Sequence, residues 1–156
     1  MIEPSSPELT EAQRAVRAMA RTARLMERTL PARLSMADFR MLSAIGDGEA
    51  RASRLARRLA LGKPAVSATV ESLVKRGLVT RTAHGSDQRA VDLALTAEGV
   101  ATLADADAAL CRTVERIADA TAGPDATVRV LADLGPALDT LLAAREACTP
   151  SPAGRA

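Results

Sequence analysis

Nine basic residues, Arg51, Arg54, Arg57, Arg58, Lys63, Lys75, Arg76, Arg81 and Arg89, fall between Arg51 and Val91, against only Glu71 and Asp87. That segment therefore carries +7, while the residues before it are neutral and those from Asp92 onward carry −5. A basic block between neutral and acidic flanks is the charge pattern that suits a polyanion, because each cation meeting a phosphate releases a condensed counterion. The chemistry on offer is ionic and hydrogen-bonding recognition. A merely solvated basic surface would show the same charge, so the uncharged residues interspersed among the nine must decide.

Catalysis has little to work with. The sequence contains no Gly-rich phosphate loop, no nucleophile elbow and no paired carboxylates at an apparent cleft, so an enzyme is not expected. His84 is the sole histidine, Cys111 and Cys148 are the two cysteines, and no cluster of them has ligand spacing. Neither a metal nor another cofactor is expected. Two cysteines are too few for a disulfide framework and fit a reducing cytosol. Cys111 follows Leu110 on an apolar helical stripe, where a small buried thiol is the plain reading, and Cys148 lies near an exposed end. A cysteine-based redox sensor is the alternative that these two residues leave open.

Other classes are bounded by composition. Phe39 is the only aromatic residue, which argues against folds that stack unpaired bases on aromatic platforms. No run approaches the roughly eighteen consecutive apolar residues of a membrane span, so no membrane partner is expected. Met1-Ile2-Glu3-Pro4 lacks the basic-then-apolar layout of a secretory signal, and the expected location is the cytoplasm. At 47% hydrophobic and 26% charged, the 156 residues can bury a core as one unit.

The elements that must position the basic block follow from periodicity. After a polar lead-in over residues 2–7, Leu9, Ala12, Val16, Met19, Ala23, Met26 and Leu30 step by three and four, a helix–helix seam that Pro31 ends. Arg14, Arg17, Arg21, Arg24 and Arg28 lie nearly opposite, in water. A short helix from Met36 to Ile45 offers Phe39, Leu42 and Ile45, and Gly46-Asp47-Gly48 turns the chain. A second, over 53–60, offers Leu55, Ala56 and Leu59. Gly62 breaks it, and Pro64 suits the first turn of a third helix that buries Val66, Val70, Leu73 and Val74 and is closed by Gly77.

The period then changes to two. Residues 78–83 read as a strand, 84–89 as a polar tip and 90–95 as a return strand whose Val91, Leu93 and Leu95 share a face. Thr96 caps a helix with Val100, Leu103, Leu110, Val114 and Ile117 on one stripe, which Asp107 interrupts. A last helix carries Val128, Leu131, Leu134, Leu138, Leu141 and Leu142, and Gly135-Pro136 should kink or split it. The tail from Thr149 reads as disordered. The fold class is mainly α with a small β-wing.

Two short helices joined by a tight turn, the second followed at once by a hairpin, make a winged helix-turn-helix over residues 36–95. Opposite its buried stripe the second helix shows Lys63, Ala65, Ser67, Ala68, Thr69 and Ser72. Such residues leave room for a duplex groove about 12 Å wide and can touch base edges or thymine methyls. Arg54, Arg57, Arg58, Lys75, Arg76 and Arg81 surround them and are expected to meet phosphates. At the wing tip Arg89 is expected to enter the minor groove, with Asp87 orienting its guanidinium. A winged helix used only for protein contact would need neither the small-residue face nor the charge around it.

These segments also carry a family resemblance. Phe39-Arg40-Met41-Leu42, Arg54-Leu55-Ala56-Arg57-Arg58-Leu59, Lys63-Pro64-Ala65-Val66-Ser67, Arg76-Gly77-Leu78-Val79-Thr80-Arg81, Asp87-Gln88-Arg89 and Leu95-Thr96-Ala97-Glu98-Gly99 occur in order and at spacings that resemble the MarR family of transcriptional regulators. The match runs from about Ser35 to Leu103. It implies a homodimer on a pseudo-palindromic operator, usually a repressor, with the outer helices over 8–34 and 97–147 pairing two copies. The seam residues agree with that expectation: Leu9, Ala12 and Val16 on the first helix, with Val128, Leu131, Leu134, Leu138 and Leu141 on the last. Gln88 departs from the family's usual Arg and removes a charge from the wing. Relatives often respond to small anionic or phenolic ligands. Met19, Met26, Phe39 and Met41 are the candidates to line such a pocket here, although at helical spacing plain packing is the default reading.

Overall fold

The computed structural model describes residues 8–49, 51–84 and 87–148. In chain order the elements are α1 (Glu11–Thr29), α2 (Met36–Gly46), α3 (Ala52–Arg58), α4 (Lys63–Lys75), β1 (Val79–His84), β2 (Asp87–Leu95), α5 (Ala97–Asp119) and α6 (Pro124–Cys148). Three of the helices start where a hydroxyl waits. Thr10 and Gln13 form a capping box at α1, and Ser35 and Asp38 form another at α2. Thr96 accepts the Gly99 N–H at the head of α5. Each cap satisfies backbone donors that a helix cannot serve itself, a contribution of about 1 kcal/mol. The lead-in at 2–7 and the tail from Thr149 lie outside the described residues.

The core is built around α2. Met41 and Leu42 are wholly buried there, packed with Leu55 of α3, Val66, Val70 and Leu73 of α4, Val79 and Leu93 of the hairpin, and Ala106 and Leu110 of α5. The Met, Leu and Val side chains among them each contribute roughly 1.5–3 kcal/mol by leaving water. That single cluster fixes the orientation of α3, α4 and the hairpin together. In contrast, no residue of α1 is buried, and the apolar side chains of α6 stand largely in solvent.

Several expectations need correction. The stripe of α5 that meets the core passes through Leu103, Ala106 and Leu110, so Val100 is exposed and Asp107 is displaced to the surface rather than interrupting the contact. Partial loss of solvent around its carboxyl, with help from the neighbouring Asp47 carboxylate, pushes Asp107 above its usual range. Cys111 is exposed, because Leu110 occupies the core-facing position and the next residue is rotated about 100° away. The Cys148 side chain lies outside those described. Pro136 does not split α6, which runs unbroken from Pro124 to Cys148. Proline deletes one N–H donor, and on this exposed helix the freed carbonyl faces water, so the helix continues on both sides.

The wing is also longer than its pattern suggests. Pairing runs from Val79↔Leu95 to His84↔Asp87, with a register shift after Ala83, so only residues 85 and 86, outside the described set, separate the strands. Arg51 adds an isolated bridge to Asp92 and an ion pair at 3.9 Å, which ties the start of α3 to the hairpin.

The turn between α3 and α4 holds a further surprise. The left-handed residue is Ala60, at φ 51°, and not Gly62, which has an ordinary φ of −66° as the N-cap of α4. Leu61 N–H donates to the Ala56 carbonyl at 2.9 Å and Ala60 N–H to the Arg57 carbonyl at 3.0 Å, a Schellman closure whose left-handed position favours glycine. An Ala60→Gly variant is expected to unfold at a higher denaturant concentration. The relief of backbone strain, about 1 kcal/mol, exceeds the added freedom of the unfolded chain. An unchanged or lowered midpoint would contradict that.

Candidate nucleic-acid interface

Helix α4 presents two faces. Val66, Val70 and Leu73 are buried, while Lys63, Ala65, Ser67, Ala68, Glu71, Ser72 and Lys75 are exposed. Ala68 lies at the centre of the outward face, about 180° from the mean direction of the buried three. Thr69 is half-buried and its Oγ1 donates to the Ala65 carbonyl at 3.0 Å, so its hydroxyl is engaged within the helix and only its methyl edge reaches the face. Glu71 is the acidic member of that face. Lys75 Nζ sits 3.0 Å from its Oε1, and this hydrogen bond and charge hold the Glu71 carboxyl below its usual range. One cation of the expected ring is therefore partly committed to its own helix.

The arginines divide sharply. Arg54 and Arg57 of α3 are exposed, and their side chains carry no hydrogen-bond or ion-pair partner among the described residues. Arg58, expected beside them, donates to Asp47 Oδ2 at 2.5 Å. Arg76, expected to meet phosphate, turns inward instead. Its Nη1 donates to Asp38 Oδ2 at 3.1 Å and its Nη2 to the Arg33 carbonyl at 2.6 Å. Arg76 thus clamps the end of α4 to the start of α2, a role with no signal in spacing because 38 residues separate the partners. Arg81, exposed on β1, shares a shallow cleft of about 190 Å³ with Ala52, Ser67, Val70 and Leu93. Of the expected site residues, Lys63, Ala65, Ser67, Ala68 and Ser72 share the outward face of α4, with Arg81 beside Ser67, and Arg54 and Arg57 are exposed on α3. Asp87 and Arg89 lie on β2, and their side chains fall outside those described.

A second junction sets the angle of the wing. Gly77, at φ 72°, closes α4. Thr96 Oγ1 donates to the Gly77 carbonyl at 2.6 Å, and the Thr96 N–H donates to the Leu78 carbonyl at 3.1 Å. The segments Arg76-Gly77-Leu78-Val79 and Leu95-Thr96-Ala97-Glu98-Gly99, distant in sequence, are therefore two halves of one joint.

The remaining site expectations fall elsewhere. Met41 is wholly buried, Met26 and Phe39 pack against the same core, and Met19 stands exposed on α1. Met41 thus sits among the core residues of α2, while Met19 is on the outer face of α1. Leu9 is half-buried, whereas Ala12, Val16, Val128, Leu131, Leu134, Leu138 and Leu141 are exposed, with Val16 66% and Leu141 61% accessible. Among the described residues no group of His, Cys, Asp or Glu could hold a metal ion, and no helix is long and apolar enough to cross a membrane.

A tri-helical head, a two-stranded wing and a small-residue helix framed by free guanidinium groups define a winged helix-turn-helix protein. The sequence profile of the MarR family matches residues 34–90, the head and most of the wing, so this part of the chain is similar to the MarR family. Similar solved structures include the transcriptional repressor CouR bound to a 23-mer DNA duplex, with 27% identity, a TM-score of 0.69, and 85% of this chain and 99% of that one covered. The Mycobacterium tuberculosis transcriptional regulator MosR in complex with DNA shares 25% identity with a TM-score of 0.60, covering 85% and 98%. Apo wild-type MarR from Escherichia coli, at 22% identity and a TM-score of 0.68 over 82% and 97%, shares the fold. No curated protein matches the chain.

Proposed function

We propose that the protein is a homodimeric, sequence-specific regulator that binds a pseudo-palindromic double-stranded operator as a repressor and is released by a small ligand. The observation that carries this reading is the outward face of α4, where Ala65, Ser67, Ala68 and Ser72 are exposed, together with the unpaired side chains of Arg54 and Arg57 on the preceding helix. An α-helix with small side chains fits a major groove, the serines can bond base edges, and the arginines fix register on the backbone. The DNA-bound state of the CouR and MosR structures supports the same partner here. Residues 36–95 then act as the reading head, and 8–34 with 97–147 pair two copies. Exposed Val16 and Met19 on α1, with Leu131, Leu134, Leu138 and Leu141 on α6, form apolar faces that a monomer rarely leaves in water. Acting on the genome, the protein works in the cytoplasm, and on the nucleoid when bound.

The test is selection of duplexes from a random pool by the purified protein, with its mass measured in solution. A dimer bound to half-sites about 34 Å apart, one turn of DNA, is expected; a monomer that ignores duplex DNA in dilute buffer would end the reading. Arg57→Ala is expected to weaken all duplexes alike and to flatten the dependence of log K on log salt by about one unit. Arg89→Ala is expected to weaken operator binding about tenfold while the dimer persists, the loss of one groove contact worth about 1–3 kcal/mol. Titration of labelled operator with each variant reads both.

A further inference from the structure

The cleft between α3 and α6 holds opposite charges that do not meet. Arg54, Arg57 and Arg58 enter it from α3, Asp139 from α6, and Glu49 from the segment before α3, while Leu142 and Ala143 form an apolar wall. Arg58 is committed to Asp47. Arg54, Arg57 and the carboxylates of Glu49 and Asp139 have no ion-pair or side-chain hydrogen-bond partner among the described residues. Complementary groups with this freedom ordinarily close on one another. Here about 230 Å³ of space keeps them apart.

We propose that this cleft binds a small zwitterion: an acidic group held by Arg54 and Arg57, an ammonium group received by Asp139 and Glu49, and a short methylene spacer along Leu142 and Ala143. A simple anion of the same size would face two carboxylates, and a simple amine would face three guanidinium groups. A molecule carrying both ends satisfies both walls at once, each through charge-assisted hydrogen bonds. Arginine suits the acidic end because its planar fork can hold two oxygens at once. Where the protein binds DNA as proposed above, the guanidinium groups engaged by the ligand are unavailable to phosphates. The ligand then acts as a competitor for the operator.

The experiment is a calorimetric titration of the full chain, free of DNA and at fixed ionic strength, with γ-aminobutanoate, δ-aminopentanoate and ε-aminohexanoate. One chain length is expected to bind at least about fivefold tighter than the others, because two-point attachment requires a matched span. Hexanoate and hexylamine, each lacking one end, are expected to bind at least about tenfold more weakly, as a lost charge-assisted hydrogen bond implies. Asp139→Asn combined with Glu49→Gln should erase the preference for the zwitterion over hexanoate while the thermal midpoint stays in place. Absence of binding by every probe, or hexanoate binding as tightly as the zwitterions, overturns the proposal, as does a preference that survives the double variant. The titration needs no DNA, so its failure is distinguishable from failure of the operator reading. In a parallel assay, the preferred zwitterion should raise the apparent operator Kd about tenfold, the share of two phosphate contacts at physiological salt.

Discussion

Ala68→Glu lowers affinity for the selected operator by about a hundredfold or more, the largest single effect on binding expected anywhere in the chain. Ala68 is exposed at the centre of the outward face of α4, with Ala65 and Ser72 on one side and the Glu71–Lys75 pair on the other. A helix about 10–12 Å across nearly fills a major groove about 12 Å wide, so a longer side chain at the centre has nowhere to go. It would also bring a carboxylate among phosphates, and in a dimer it would do so twice. The local fold should not notice, because glutamate is a good helix former and the position is solvated. Circular dichroism and the thermal midpoint are therefore expected to match the parent, and Ala68→Ser should retain most of the affinity. If Ala68→Glu bound the operator normally, α4 would not lie in a groove, and the head would be a protein-interaction surface after all.

The logic of the head is a division of labour among arginines. Arg58 and Arg76 are spent on Asp47 and Asp38, holding α3 and α4 to α2, while Arg54, Arg57 and Arg81 stay exposed. Sequence reasoning sees nine cations and cannot make that division. An ion pair between residues 76 and 38 depends on the angle at which two helices cross, and no local period encodes it. The same applies to the Arg51 bridge to Asp92, which recruits a residue outside both strands into the wing.

What was legible had a short-range cause. The buried Val66, Val70 and Leu73 follow from helical spacing, the start of α5 from Thr96, and the left-handed end of α4 from Gly77. Where the reading failed, tertiary contact overrode the local rule. Ala106 displaced Asp107 from the core-facing stripe because packing against α2 rewards a small residue there. Gly62 attracted attention as the breaker of the α3–α4 turn, yet the strained position is Ala60, a residue type that carries no turn signal. The methionines near the helix junction have packing as the default reading of their spacing, and the burial of Met41 fits that default.

Gly99→Ala is expected to destabilise the fold by about 3 kcal/mol or more, beyond the usual cost of overpacking because backbone rather than side chain stands in the way. A Cβ at this position would sit 2.0 Å from the Leu78 carbonyl oxygen and 3.0 Å from its carbon. That carbonyl cannot retreat freely. It accepts the Thr96 N–H, and the Leu78 N–H donates to the Leu73 carbonyl at 3.0 Å, so moving it disturbs α4, β1 and the cap of α5 together. Gly99 itself donates to Thr96 Oγ1 at 3.0 Å, which fixes the first turn of α5 against the joint. Against a total stability of about 5–15 kcal/mol, this loss is enough to leave a substantial unfolded fraction in the weaker half of that range. Urea unfolding should show a lower midpoint with unchanged slope, and operator binding should fail in step with folding rather than ahead of it. A midpoint equal to the parent would mean that the joint opens without cost. In that event the wing would hang loosely from α4, and its contribution to binding would have to be sought in the reading helix alone.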